Sequence, residues 1–209
     1  MTQEALAKSA VIPPAEHFLA YSRRLSDTLI GFDWSPVVRL AEDLRDCWRT
    51  GRQLFLCGNG GSAGNASHLA NDFLYPLSKT KGSGIRVHAL TENPAVLTCL
   101  GNDEGYENIF SFQLSVLARE GDVLLAFSGS GNSPNILRAL EEASRIGMTS
   151  YAVVAFTGGK AKALADVPIY FPINDMQIAE DTQLIIGHMI VQWLYAQRED
   201  FTPGRRGAS

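Results

Sequence analysis

Short apolar runs recur along the chain, and between them apolar positions fall at helical spacing. Leu54-Phe55-Leu56-Cys57, Asp122–Phe127, Ser150–Ala155 and Val167–Phe171 are brief and almost continuously apolar, which predicts strands buried on both faces of a parallel sheet. Ile85–Leu90 alternates and predicts a further strand. Ahead of the first strand, Phe18, Tyr21, Leu25 and Leu29 repeat every three to four residues and predict a helix from His17 to Ile30. A second helix is expected from Ser35 as N-cap and Pro36 at the first helical position, running through Leu40, Leu44 and Trp48 to Gly51. Further helices are expected at Pro94–Leu100, up to about Arg119, through Ile136, Leu140 and Ala143, and over 177–197. Strands alternating with helices define an α/β fold, its mostly parallel sheet covered on both faces. Two helices before the first strand are more than one sheet face needs, so their stripes are expected to meet a partner subunit.

The expected organisation is a loose arm over 1–14, a single domain over 15–199 and a disordered tail over 200–209, with a flexible polar connector over 78–84. At 209 residues the chain suits one domain, and 45% apolar with 19% charged residues is an ordinary globular balance. A net charge of −4 speaks against general nucleic-acid binding. No run of about 18 apolar residues and no signal-peptide pattern is present, so a cytoplasmic protein without membrane association is expected. Cys47, Cys57 and Cys99, an odd number, read as reduced and buried thiols rather than a disulfide framework.

Two strand-to-helix junctions stand out. The first run leads into Gly58-Asn59-Gly60-Gly61-Ser62, with Ser62 expected as N-cap of a helix from Ala63. The second, Asp122–Phe127, leads into Ser128-Gly129-Ser130-Gly131-Asn132-Ser133. Glycines let backbone approach a ligand closely, and N–H groups at a helix N-terminus favour an anion. Neither junction is a P-loop or a dinucleotide fingerprint. With no Lys or Arg in the second turn, a phosphate monoester held by hydroxyls, N–H groups and dipoles is the expected ligand.

In order along the chain, G-N-G-G-S-A followed by His68, then N-D-E-G-Y (102–106), S-G-S-G-N-S (128–133) and T-G-G (157–159) resemble the SIS (sugar isomerase) domain, and within it the phosphoheptose isomerases. The resemblance covers nearly the whole chain. It implies a three-layer sandwich with a five-stranded parallel sheet, and a homotetramer with zinc-binding active sites between subunits. It also implies interconversion of sedoheptulose 7-phosphate and D-glycero-D-manno-heptose 7-phosphate for surface-polysaccharide synthesis. Another phosphosugar specificity, or a non-catalytic tetrameric adaptor of the replication initiator, are alternatives found among similar proteins. The adaptors lack the last-helix His, which is present here as His188.

Carried over residue by residue, the resemblance puts substrate and phosphate contacts at Asn59, Gly60, Gly61, Ser62, Asn102, Asp103, Ser128, Ser130 and Ser133, with Gly129 where a threonine is usual. It puts the metal ligands at His68, Asp72, Glu180 and His188, with Asp72 in place of the usual Glu and Glu180 in place of the usual Gln. An ungapped alternative matches Gln183 to that Gln but leaves Val191 where the His should be. Such a mixed N/O set suits Zn2+. On an ideal helix Glu180 and His188 are offset by roughly 80°, so they meet one ion only from the helix edge, and Asp181 aligns better. Isomerisation needs a base at the carbon beside the carbonyl and an acid at the oxygen, and Asp72 and His188 are the expected pair.

Overall fold

The computed structural model describes residues 13–75, 77 and 84–197. The expected tail over 200–209, most of the expected arm over 1–14 and most of the connector over 78–84 lie outside the described residues. The chain divides into two compact units, 1–32 and 33–209. The first unit contributes α1 (Pro14–Ile30), an amphipathic helix with no buried residue.

In the second unit the order is α2 (Ser35–Thr50), β1 (Gln53–Cys57), α3 (Gly61–Leu74), β2 (Arg86–Ala89), α4 (Pro94–Asp103), a 3-10 turn (Tyr106–Asn108) and α5 (Ser111–Leu117). It continues through β3 (Val123–Ser128), α6 (Pro134–Ile146), β4 (Thr149–Val154), α7 (Ala161–Leu164), β5 (Val167–Tyr170) and α8 (Met176–Ala196). The five strands are all parallel, in the order β2-β1-β3-β4-β5. All six residues of the central β3 are buried, as its continuous apolar run requires.

The pleat sends alternate side chains to opposite faces. Phe55, Cys57, Leu124, Ala126, Ala152 and Val154 join Leu114, Ile136, Ala139 and Leu140 in one apolar cluster under α5 and α6. On the other face α2 and α3 pack against the sheet, and α8 packs against both of them.

Two expected caps are corrected. Ser35 lies inside α2, where its N–H and hydroxyl donate to the Asp33 carboxylate at 3.0 and 2.8 Å; Asp33 does the satisfying. These bonds, backbone first, hold the Asp33 carboxyl below its ordinary value. Ser62 is not the N-cap of α3 either. Gly60, with φ +56, stands at that position, and Ser62 turns inward. The expectation for Cys99 is also corrected. It is exposed on α4, while Cys47 and Cys57 are buried. Among the described residues no helix is long and apolar enough to cross a membrane.

Candidate active site

In a sheet ordered 2-1-3-4-5 the chain leaves β1 and β3 in opposite directions, and a crevice opens between the loops at their carboxyl ends. The two Gly/Ser-rich junctions are those loops. A cleft of about 270 Å³ lies there, lined by Asn59, Gly60, Gly61, Ser62, Phe127, Ser128, Gly129, Ser130, Ser133, Met176 and Glu180. Gly58 permits the tight first turn, since a Cβ there would stand 2.6 Å from the Ser62 backbone.

In the second loop the Gly131 N–H donates to Ser128 Oγ at 3.1 Å, and the Asn132 N–H to Ser130 Oγ at 3.3 Å. Both hydroxyls keep their own proton to donate. Ser133 precedes α6 without making a side-chain cap bond. Gly131, with φ +66, packs against the backbone of Gly158 and Gly159, so the T-G-G turn buttresses the loop from behind. Lys160 N–H donates to Asn132 Oδ1 at 3.1 Å across the same junction. Of the expected substrate contacts, Asn102 and Asp103 are not among the residues lining this cleft. They are exposed at the end of α4, where Asn102 Nδ2 donates to Asp103 Oδ1 at 2.7 Å.

The second part of the site lies along α3 and α8. His68 and Asp72 share a face of α3 at i, i+4, and His188 projects toward them from α8. His68 Nε2 and His188 Nε2 are 3.0 Å apart, and Asp72 Oδ2 is 3.5 Å from the first and 3.4 Å from the second. Among the described residues these three form the group able to hold a metal ion. An ion bound tetrahedrally at roughly 2.0–2.1 Å separates its ligand atoms by about 3.3–3.4 Å. A triangle with edges of 3.0, 3.4 and 3.5 Å fits that requirement.

Glu180 stands outside the triangle. Its carboxylate presses against Gly61 at the start of α3, where any side chain on residue 61 would collide with it. A carboxylate at a helix N-terminus is favourable, and the 80° offset along α8 carries Glu180 to this side rather than to His188. Gln183 is buried in a polar strap between the helices. It donates to Ser62 Oγ at 3.0 Å and accepts from Asn65 Nδ2 at 2.9 Å. By helical rise the triangle lies roughly 10–12 Å along α3 and α8 from the cleft, a length an extended phosphosugar covers.

Sequence reasoning assigned no role to Met176, Asn65, Asn135 or Tyr106. Met176 lines the cleft, Asn65 joins α3 to α8, and Asn135 and Tyr106 hold Asn59 from outside it.

The family model of the SIS domain matches residues 17–158, and the chain belongs to that family. Its similarities place it among the phosphoheptose isomerases. It is 36% identical over 156 residues to the phosphoheptose isomerase of Trichlorobacter lovleyi, covering 75% of this chain and 79% of that one. It is 34% identical over 185 residues to that of Aliarcobacter butzleri, covering 88% and 95%. The solved phosphoheptose isomerase of Neisseria gonorrhoeae superposes with a TM-score of 0.79 at 30% identity, covering 87% of this chain and 96% of that one.

Proposed function

We propose that the chain is an aldose–ketose isomerase that interconverts sedoheptulose 7-phosphate and D-glycero-D-manno-heptose 7-phosphate, supplying heptose for surface polysaccharide in the cytoplasm. The observation that carries this reading is the two-part site, an anion cleft without a basic residue in its lining and a proton-bearing triangle one phosphosugar length away. The family and its named relatives supply the substrate. We take the working form to be a homotetramer with active sites between subunits.

Ser128, Ser130 and Ser133, with the N–H groups opening α3 and α6, receive the phosphate. The helix dipoles supply partial positive charge there. The sugar then extends along α3 and α8 to the triangle. Asp72 and His188 are the acid–base pair. One takes the proton from the carbon bearing a hydroxyl beside the carbonyl and returns it to the neighbouring carbon, while the other moves a proton between the two oxygens. His68, Asp72 and His188 would hold Zn2+, and Glu180 joins them only by leaving Gly61. Such an ion supplies Lewis-acid polarisation of the substrate oxygens and charge stabilisation for the enediolate.

A second reading, an isomerase of another phosphosugar, draws support from Met176. Its sulfur lies 2.7 Å from where a side chain on residue 129 would begin, so this wall of the cleft is a thioether instead of a hydroxyl. The adaptor reading is disfavoured because His188 completes the triangle.

The deciding measurement is turnover of sedoheptulose 7-phosphate together with bound-metal analysis. His188→Gln is expected to lower kcat by about 10²–10⁴-fold and to lose metal, with the fold retained. Asp72→Glu is expected to preserve or raise activity on the heptose, and a loss confined to another native sugar supports the second reading. Full activity of His188→Gln overturns the mechanism.

A further inference from the structure

Asn59 is the cleft residue held most completely from outside the cleft. Its Oδ1 accepts from Asn135 Nδ2 at 2.8 Å and from the Tyr106 hydroxyl at 3.0 Å, and its Nδ2 donates to Asn135 Oδ1 at 2.9 Å. A carboxamide has two acceptor lone pairs and two N–H protons. Both lone pairs and one proton are therefore engaged, and a single side-chain N–H remains for a ligand. Asn135, near the start of α6, is 1% exposed and cannot touch a substrate itself. Tyr106 arrives from the 3-10 turn after Gly105, whose φ of +88 turns the chain toward the first loop. Neither residue lines the cleft.

We propose that Asn135 and Tyr106 are positioning residues that fix the Asn59 amide as a one-proton donor toward an oxygen of the bound sugar phosphate. This rests on the reading of the cleft as a phosphosugar seat. The reciprocal amide pair removes rotation about the terminal torsion of Asn59, and the phenol blocks the one acceptor position the pair leaves open. An Asn59 free to turn would present its carbonyl to the substrate in part of its population, against an oxygen that needs a donor. The clamp also ties three elements together: the loop after β1, the start of α6 and the turn after α4.

A double-mutant cycle tests the assignment, because residues that act only through a third lose their effect once that residue is removed. Asn59→Ala, Asn135→Ala, Tyr106→Phe and the two double variants with Asn59→Ala are compared in the intact protein. Two readouts are taken: kcat/KM for sedoheptulose 7-phosphate, and the calorimetric Kd of the corresponding alditol phosphate, which binds without reacting. Loss of a hydrogen bond to a charged or polarised ligand corresponds to about a 10- to 100-fold drop for Asn59→Ala. Asn135→Ala is expected to approach that drop alone and to change neither readout by more than about 2-fold in the Asn59→Ala background. Tyr106→Phe, on an exposed ring, follows the same pattern with a smaller loss and carries the test should Asn135→Ala fail to fold.

Additive losses in the double variants, or unchanged affinity in both single ones, overturn the proposal. A wild-type protein that binds the alditol phosphate but does not turn over the heptose sinks the isomerase reading and leaves the cycle readable through Kd. A wild-type protein that binds neither compound overturns both.

Discussion

At Gly129 the backbone does not demand glycine, and only the flexible end of Met176 stands where a side chain would begin. Its φ lies outside the left-handed region, and the obstacle to a side chain is Met176, with Sδ 2.7 Å and Cε 3.2 Å from the position of a Cβ. Gly131, two residues on, is required twice over, by a φ of +66 and by the Gly158 carbonyl behind it. At the same scale sit the groups whose ionisation the fold opposes. Burial pushes the Cys57 thiol up to about 12, and burial followed by the Asp122 charge pushes Cys47 up to about 12. Burial, then the 2.5 Å hydrogen bond to Asp43, raises the Tyr151 phenol as well. Below the ordinary thiol value of about 8.5 both folded and unfolded chains keep these protons, and stability does not depend on them. Above it the unfolded thiols ionise while the folded ones stay neutral until about 12, so stability falls as pH rises through that window. Urea midpoints measured from pH 8 to 11 should drop progressively, and less steeply in Cys57→Ala. A flat profile to pH 11 would show that the thiols are not held neutral.

At the scale of elements, the site is a property of the α3–α8 pair. His68 and Asp72 belong to one helix and His188 to the other, so the triangle exists only at the spacing the two helices keep. Gly187 sets that spacing. It lies inside α8, where glycine is unfavourable by roughly 0.5–1 kcal/mol against alanine, and Leu69 of α3 occupies the place where its side chain would be. The strap from Ser62 through Gln183 to Asn65, and the 3.0 Å bond from Asn65 Nδ2 to the Glu180 carbonyl, fix the rotation of the pair. Gly187→Ala gains helix propensity yet forces Leu69 aside, and overpacking of this kind costs about 1–3 kcal/mol. Calorimetry should find a lower Tm, and kcat should fall with it because the triangle is spread. A Tm raised by the substitution would mean that α3 and α8 can part without cost.

At the scale of the whole molecule, apolar surface remains uncovered. In the first unit Phe18 is 65% and Ile30 81% exposed, and α1 buries none of its residues. In the second, Val116 of α5 is 69% exposed and Phe112 44%. These exposed apolar side chains are in keeping with the proposed tetramer. Light scattering at micromolar concentration should report an oligomer, and Phe18→Glu combined with Leu25→Glu should shift it toward smaller species with loss of turnover. A monomer that is fully active would remove the inter-subunit site.

Local pattern alone determined the strands, by continuous apolar runs for the buried ones and by alternation for β2, and it placed both Gly/Ser-rich loops at strand ends. The pairing of His68 with Asp72 was legible too, since one helix spaces them. α7, a single turn at Ala161–Leu164, was not. So short a helix carries no periodicity. Ser35 and Ser62 looked like caps, yet a nearby Asp33 and a distant Gln183 claimed their hydroxyls. Strand order brought the loops after β1 and β3 side by side, and helix packing set His188 against His68 while turning Glu180 to the cleft between those loops. Asn135 gained its partner the same way, 76 residues distant along the chain from Asn59. Those outcomes depend on contacts between segments far apart in the chain, and only the assembled sheet with its helical layers decides which segments meet.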